Sequence, residues 1–282
     1  MNLIAIDIGN TNIKLGLFLD DTKQYTTSVK GTDTEKLFDC LNEAWEQVPF
    51  APRAKEPVRD GVIIVSSVKP EWTDVVEKMC KDSLHEKIKI IGREITLPME
   101  MGVDDYRQVG TDRVVAAAAG YAVVQDAVVV ADFGSAVTID LVDEQGVFLG
   151  GIIAPGFDIA AKSLADNTAQ LPLVEVTAPD DPVGANTAAA INAGLYYSAV
   201  GLLRTVTEKF AEQIGKWPQT IITGAGADII KKDCDFVDSW VSDLTVTGIV
   251  LAYKKYLDDK SELEDYAKED AEQFEQDQDK ED

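Results

Sequence analysis

The residues with the clearest capacity for chemistry lie in the first turn of the chain. Asp7 follows an apolar run, residues 3–6, and is itself followed by a glycine, short polar residues and a lysine, namely Gly9, Asn10, Thr11, Asn12 and Lys14. The glycine lets the backbone come close to a ligand, the polar residues can donate hydrogen bonds, and the lysine can neutralise a phosphate. This combination suits a nucleoside triphosphate, with Asp7 beside its Mg²⁺. A hairpin whose polar turn binds nothing has the same pattern, so this stretch leaves both interpretations open.

A second stretch repeats the pattern. Residues 128–131 form an apolar run that leads into Asp132, and Gly134, Ser135 and another apolar run follow. Asp7 and Asp132 are too far apart in sequence for a solenoid repeat, but their separation suits a duplicated domain. Two related halves would bring their Asp-x-Gly turns to face each other across one cleft.

The elements that must hold these turns are predicted by apolar spacing and by helix-start signals. Besides the runs that precede the two acids, apolar runs predict strands at residues 13–18, 25–29, 62–68, 88–91, 136–142, 147–154 and 220–223. Helical spacing predicts helices that begin near residues 31–35 and 69–72, and helices at residues 110–119, 157–167, 187–214 and 245–257. Strands and helices therefore alternate in both parts of the chain.

The composition is typical of a soluble globular protein that most simply forms two domains. The chain has 282 residues, of which 45% are hydrophobic and 7% aromatic, and no apolar run approaches a membrane-spanning length. Met1-Asn2 leads directly into the first strand, so we expect no secretion signal and a cytoplasmic protein. The three scattered cysteines and the single histidine, His85, argue against a structural zinc site and against histidine-dependent nucleophilic catalysis.

The charge of the chain argues against nucleic acid as a partner. The net charge is −24, whereas contacts with a phosphate backbone require lysine and arginine. Part of the negative charge lies in residues 258–282, where thirteen acids oppose three lysines. We expect this segment to be an acidic, disordered tail, because it has too few apolar residues to pack.

Five motifs occur in order along the chain: Asp7-x-Gly-Asn-Thr, Gly110-x-Asp-Arg, Asp132-x-Gly-Ser, Gly184-x-Asn-Thr and Thr223-Gly-x-Gly. In this combination the sequence resembles the type III pantothenate kinases, a bacterial family of the superfamily that includes acetate kinase, sugar kinases, actin and heat-shock chaperones. The resemblance extends from Met1 to about Leu257 and leaves out the acidic tail. Three departures are visible: Ser135 stands where the family usually has threonine, the last turn reads Thr-Gly-Ala-Gly instead of Thr-Gly-Gly, and Val103 stands where the substrate loop commonly has tyrosine.

The resemblance implies a fold and a reaction. The fold is expected to be α/β, with two duplicated ribonuclease-H-like domains, each a mixed β-sheet flanked by helices, and with nucleotide in the cleft between them. We expect the first half at residues 1–117 and the second at residues 118–257. The implied reaction is ATP-dependent phosphorylation of pantothenate to 4′-phosphopantothenate, the first step of coenzyme A biosynthesis. The implied partners are pantothenate and a second copy of the chain in a homodimer, with no nucleic acid and no membrane.

The resemblance also implies roles for the motif residues. The first turn, from Asp7 to Lys14, is expected to hold the ATP phosphates and Mg²⁺, and Ser135 is expected to contact ATP. The acceptor site is expected to consist of Gly110, Thr111, Asp112 and Arg113, with Asp112 as the proton acceptor. Asp132 is expected to coordinate a monovalent cation, K⁺ or NH₄⁺, and Thr187 to reach the substrate, often across the dimer.

Elementary chemistry agrees with these roles but does not require them. Phosphoryl transfer has a loose transition state, so positioning and charge neutralisation dominate and an ordinary carboxylate such as Asp112 suffices as a base. The planar fork of Arg113 matches a carboxylate. Structural interpretations remain, since Asp112 and Thr187 are also typical of helix N-termini. Two other functions stay open: a kinase for another small hydroxylated acid or sugar, and a catalytically weak, nucleotide-binding regulatory protein.

Overall fold

The chain forms two mixed β-sheets with helices on their faces. The computed structural model describes residues 1–52 and 57–278, with side chains described up to Leu263. The first sheet contains β1 (Leu3–Ile8), β2 (Asn12–Leu19), β3 (Thr22–Lys30), β4 (Val62–Ser67) and β5 (Ile88–Ile90) in the order 3-2-1-4-5. Strands β1, β2 and β3 are antiparallel neighbours, whereas β4 runs parallel to β1 and β5 parallel to β4.

The second sheet repeats this arrangement. It contains β6 (Glu100–Met101), β7 (Val128–Phe133), β8 (Ala136–Val142), β9 (Val147–Pro155), β10 (Gln219–Thr223) and β11 (Ser239–Trp240) in the order 11-10-7-8-9-6. The run 9-8-7-10-11 has the same connections and strand directions as 3-2-1-4-5 in the first sheet. The predicted duplication and the α/β fold class are thereby confirmed.

Each sheet buries both of its faces, which explains why its central strands are continuous apolar runs. One face of the first sheet packs on α1 (Thr34–Gln47) and α2 (Pro70–Met79). One face of the second sheet packs on α4 (Phe157–Asp166), α5 (Thr187–Ile214) and the short α6 (Ala227–Ile230).

Two helices lie between the sheets. The other face of the first sheet packs on α7 (Leu244–Gln278), and the corresponding face of the second sheet packs on α3 (Thr111–Val124). The two helices come so close that a Cβ atom at Gly248 would lie 1.8 Å from the carbonyl oxygen of Val115. The expected division between residues 117 and 118 falls inside α3.

The structure differs from the sequence prediction at the end of the chain and at the sheet edges. Helix α7 was expected to end near Leu257, but it continues to Gln278 through the segment for which we expected disorder. Twelve of the 21 residues at positions 258–278 are glutamate, glutamine, lysine or alanine, which have high intrinsic helix propensity. Residues 279–282 lie outside the described part of the chain. Strands β6 and β11 were not predicted, because two residues carry no periodic signal.

Within residues 1–52 and 57–278, no helix combines the length and the apolar character that crossing a membrane requires.

Candidate functional site

The two Asp-x-Gly turns meet where the sheets face each other. In the first turn the backbone N–H of Gly9 donates to the carbonyl of Asn12 at 3.1 Å, and in the second the N–H of Gly134 donates to the carbonyl of Ala136 at 3.0 Å. The hydroxyl oxygens of Thr11 and Ser135 share a hydrogen bond of 2.6 Å from one turn to the other. The expected juxtaposition of the two turns is therefore observed.

Two adjoining cavities lie at these turns. The first, of about 140 Å³, is lined by the turn residues together with Lys14 and three acids, Asp7, Asp112 and Asp132. The second, of about 280 Å³, shares the two turns but has an apolar side formed by Phe133, Phe157, Ile159 and Ile229. A polar, acidic cavity beside a more apolar one is an arrangement that can take the phosphates and the base of a nucleotide.

Asp7 is held in a strongly unfavourable electrostatic environment. Burial is the main reason that its pKa is raised to about 7; repulsion by Asp112 and Asp132 adds to the increase, and Lys14 opposes it. Its Oδ1 atom is buried and has no hydrogen-bond partner among the described residues. A buried oxygen without a donor is costly unless a cation or an ordered water satisfies it.

Asp132 stands on the corresponding strand of the second sheet in a similar environment. Burial raises its pKa to about 6, Lys14 opposes the increase, and Asp112 and Asp140 add to it. The ammonium group of Lys14 donates to the carbonyl of Ser242 at 3.3 Å, so a residue just before α7 helps to fix the lysine whose charge acts on both acids.

Asp112 is placed by the first turn of α3. Gly110 is the N-cap of this helix, and a Cβ atom there would lie 2.5 Å from Oδ1 of Asp112, so a larger residue would displace the carboxylate. Oδ1 accepts a hydrogen bond of 2.8 Å from the backbone N–H of Arg113. Burial raises the pKa of Asp112, and this backbone hydrogen bond and the charge of Arg113 act against the increase.

Thr111 has a structural contact that the sequence did not indicate. Its hydroxyl shares a hydrogen bond of 2.9 Å with the hydroxyl of Ser66, which is fully buried at the end of β4. This contact ties the start of α3 to the first sheet and so helps to aim Asp112 at the cavity.

Arg113 makes a buried ion pair with an acid that sequence reasoning missed. Its Nε donates to both carboxylate oxygens of Asp140 at 3.1 Å, and Nη2 also donates to Oδ1. Asp140 is 2% exposed and lies in the middle of β8. A charge inside the run 136–142, which is otherwise apolar except for Thr138, was the signal that could have drawn attention to it, since such acids are rarely buried without a partner.

The glycine turn after β10 closes the same site. Gly224 has a φ of +98°, and a Cβ atom there would lie 2.4 Å from Oδ1 of Asp132. The N–H of Gly226 donates to the carbonyl of Phe133 at 2.8 Å. The sequence Thr-Gly-Ala-Gly therefore still packs its first glycine directly on the second acidic turn.

The structure does not bring Thr187 to these cavities. Thr187 is exposed at the start of α5, where the side chain of Asn186 caps the helix by accepting from the N–H of Ala189 at 2.9 Å. It lines neither of the two cavities. Gly110, Thr111 and Arg113 line neither cavity either, but they adjoin Asp112, which does, whereas Thr187 lies on a separate helix.

The acids of the site fit a metal ion that comes with a ligand. Among the described residues, no group of three histidine, cysteine or carboxylate side chains is arranged to hold a metal ion by itself. Mg²⁺ usually takes one or two carboxylates and completes its shell with waters and phosphate oxygens. The unpartnered Oδ1 of Asp7 fits that type of site.

Comparison with known proteins agrees with this geometry. A sequence model of the family described as "Type III pantothenate kinase" matches residues 3–209. A type III pantothenate kinase of Syntrophotalea carbinolica is 34% identical over 254 residues, which is 89% of this chain and 98% of that protein. One of Brevibacillus brevis is 34% identical over 263 residues, covering 90% of this chain and 98% of that protein.

Similarity to solved structures concerns the fold alone, because the sequence identities are low. A protein from Campylobacter jejuni, described as a Baf family transcriptional activator, has a TM-score of 0.57 and 18% identity, covering 89% of this chain and 98% of that chain. A protein from Sinorhizobium meliloti, described as a 2-dehydro-3-deoxygalactonokinase, has a TM-score of 0.52 and 12% identity, covering 90% and 96%. Since the family sequence model spans most of the chain and the curated relatives match nearly their full length, the chain belongs to the type III pantothenate kinase family.

Proposed function

We propose that this protein transfers the terminal phosphoryl group of ATP to pantothenate and so carries out the first step of coenzyme A biosynthesis. Family membership supports the reaction. The observation that carries it furthest is the position of Asp112, which lies in one cavity with both acidic turns although it comes from a different element. The proposed base for the acceptor and the proposed phosphate-binding turns therefore line the same cavity.

The first turn is proposed to hold the phosphates. The cavity is lined by the turn from Gly9 to Asn12, by Lys14 and by Ser135. The hydrogen bond between Thr11 and Ser135 supports contact with the ligand from both turns. Mg²⁺ bound with ATP would draw charge from the phosphate oxygens, and Asp7 is the residue that would hold it. Lys14 then offsets part of the remaining negative charge.

Asp112 is proposed to accept the proton of the acceptor hydroxyl. The hydroxyl oxygen bonds to the terminal phosphorus, the bond from phosphorus to the bridging oxygen of ADP breaks, and the hydroxyl proton passes to Asp112. A pKa raised by burial makes this carboxylate a stronger base than an exposed aspartate, and so brings it closer to the working pH. The N–H of Arg113 keeps the carboxylate oriented while it receives the proton.

The acceptor is proposed to lie along Gly110 to Arg113, with its carboxylate near the guanidinium. Asp140 already occupies Nε and Nη2 of Arg113, whereas Nη1 has no hydrogen-bond partner among the described residues. The acceptor carboxylate therefore has one terminal nitrogen of Arg113 available to it.

A homodimer is proposed because Thr187 lies outside the cavities of its own chain. On the same helix, α5, Cβ atoms at Gly194 and Gly201 would meet no atom of another described element within 4 Å, and Tyr197 between them is 39% exposed. This open face of small and aromatic residues can take a second copy, which would supply Thr187 to the substrate of its neighbour.

A monovalent cation, K⁺ or NH₄⁺, is proposed at Asp132. Burial raises the pKa of this carboxylate and Lys14 opposes the increase only in part, so a cation beside Asp132 would favour its charged form. A cation there would balance part of the phosphate charge in a very acidic chain. All three cysteines are free thiols, which agrees with a cytoplasmic location for an ATP-consuming enzyme.

The test is ATP consumption and phosphopantothenate formation by purified protein, with potassium compared with sodium at fixed ionic strength. We expect potassium-dependent turnover, and we expect Asp112→Asn to bind ATP normally while it loses turnover by at least about a hundredfold. Turnover of the variant close to that of the wild type would remove Asp112 from the role of base. Nucleotide binding without phosphorylation of pantothenate under either cation would favour a regulatory protein or a kinase for another acceptor.

A further inference from the structure

The ion pair between Arg113 and Asp140 is almost completely buried. Arg113 comes from the first turn of α3 and Asp140 from the middle of β8, so the pair joins a helix between the two sheets to the second sheet. The side chain of Arg113 is 14% exposed, and that of Asp140 is 2% exposed. The guanidinium carbon also lies 5.8 Å from the ring centre of the buried Phe148. The guanidinium group is therefore held on two sides.

The neighbouring strand makes room for this pair. Gly151 stands opposite Asp140 in the register of β8 and β9, and a Cβ atom there would lie 2.5 Å from Oδ1 of Asp140 and 2.1 Å from the carbonyl oxygen of Ile139. Any other residue at position 151 would push the carboxylate away from Arg113. Together, the close backbone at Gly151, the ring of Phe148 and the carboxylate of Asp140 restrict the orientation of the guanidinium group.

Stability alone does not account for the pair. Burying two charges costs as much as their attraction returns, and well-packed apolar residues of similar size are often as stable or more so. The pair instead stands directly beside the site: Asp112 precedes Arg113 in the chain and accepts a hydrogen bond from its N–H. Nη1 is left without a partner among the described residues.

We propose that Asp140 is a positioning residue for acceptor recognition: by binding Nε and Nη2 of Arg113, it fixes the guanidinium so that Nη1, which has no partner among the described residues, can donate to the carboxylate of the acceptor. This inference rests on the proposed function, because it takes a carboxylate-bearing acceptor as the substrate. Asp140 acts only through Arg113 and does not touch the substrate. Its role is to fix the rotamer of Arg113 before the substrate binds. Substrate binding then does not have to order this long side chain, and that entropy cost is avoided.

The experiment measures KM for pantothenate and for ATP separately in wild type, Asp140→Ala, Arg113→Ala and the double variant. Asp140→Ala is expected to raise KM for pantothenate at least about tenfold, about 1.4 kcal/mol, and to leave KM for ATP within about twofold. Asp140→Asn, which keeps an oxygen that can accept from the guanidinium, is expected to lie between the wild type and Asp140→Ala. In the Arg113→Ala background, Asp140→Ala is expected to add less than about twofold, because its effect passes through the arginine.

A matched control is Asp126→Asn, which removes an acid paired with Lys216 in the same half but outside the site. It is expected to change neither KM. Thermal unfolding of every variant checks that it folds. If an alanine variant does not fold, the same set of single and double variants is made with Asp140→Asn and Arg113→Gln, which keep most of the side-chain volume.

Three results would overturn the inference while leaving the proposed function in place. These are an unchanged or lowered KM for pantothenate in Asp140→Ala, an equal rise of both KM values, and an undiminished effect of Asp140→Ala in the absence of Arg113. If the wild-type protein neither binds nor phosphorylates pantothenate, the proposed function fails and the inference fails with it.

Discussion

Asp7 should make the folded protein less stable as the pH rises, and its replacement by asparagine should remove that loss. The carboxyl has a usual pKa of 3.8 in the unfolded chain and about 7 in the folded protein, because it is buried and close to Asp112. The folded protein therefore holds a proton that the unfolded chain has already lost. Stability falls as the pH increases from about 4 and continues to fall until the pH passes the folded-state pKa.

The size of the effect follows from the two pKa values. The full difference corresponds to about 4 kcal/mol, and about 3 kcal/mol of it falls between pH 5 and pH 8. The amide of the Asp7→Asn variant has no charge to desolvate, and Oδ1 of Asp7 has no hydrogen bond among the described residues that the substitution could remove. The free energy of unfolding of Asp7→Asn, relative to that of wild type, should therefore increase by about 3 kcal/mol from pH 5 to pH 8.

The assay is urea unfolding at pH 5 and pH 8, without nucleotide, with a chelator and with a bulky organic cation in place of potassium. These conditions matter because a cation beside Asp7 would favour its carboxylate form and hide the effect. Asp126→Asn is the control, since hydrogen bonding to Lys216 lowers the pKa of Asp126 and keeps it ionised at both pH values. A constant difference between Asp7→Asn and wild type at the two pH values would refute the reasoning.

Three further predictions concern the glycines and the tail. Gly224→Ala should destabilise the protein by about 2 kcal/mol or more and weaken nucleotide binding, because a Cβ atom at this positive φ overlaps Asp132; urea unfolding and nucleotide titration check both effects. Gly248→Ala should lower the free energy of unfolding by a similar amount, about 2 kcal/mol, because the added methyl group forces α3 and α7 apart. Urea unfolding measures this loss, and unchanged KM values of the folded variant would show that the site itself is intact. Deletion of residues 258–282 should leave kcat and KM unchanged, since the described part of this acidic end of α7 lines neither cavity at the turns; a large loss of turnover would make the tail part of the enzyme.

Several features of the fold and the site were predictable because their signals are local. A strand, an acid, a glycine and a second strand follow one another over a short stretch of sequence, so Asp7 and Asp132 could be placed at hairpin turns before any packing was known. Apolar periodicity likewise identified most strands and helices, since burial on one or two faces dictates the spacing of apolar residues. The repeat of the first turn in the second half further indicated a duplicated domain.

Other features depend on contacts between distant parts of the chain, and only the folded structure decides them. The pairing of Arg113 with Asp140 requires α3 to lie on one face of the second sheet, and the contact of Thr111 with Ser66 requires the start of that helix to reach the first sheet. The same packing separates Thr187 from the cavities. Sequence patterns report which side of an element is buried, but the partner of each buried polar group is set by how the sheets and helices are arranged in three dimensions. Residue types and spacing therefore predicted the chemistry, whereas tertiary packing decided which charges meet, which hydroxyls already share a hydrogen bond and which donors are left without a protein partner.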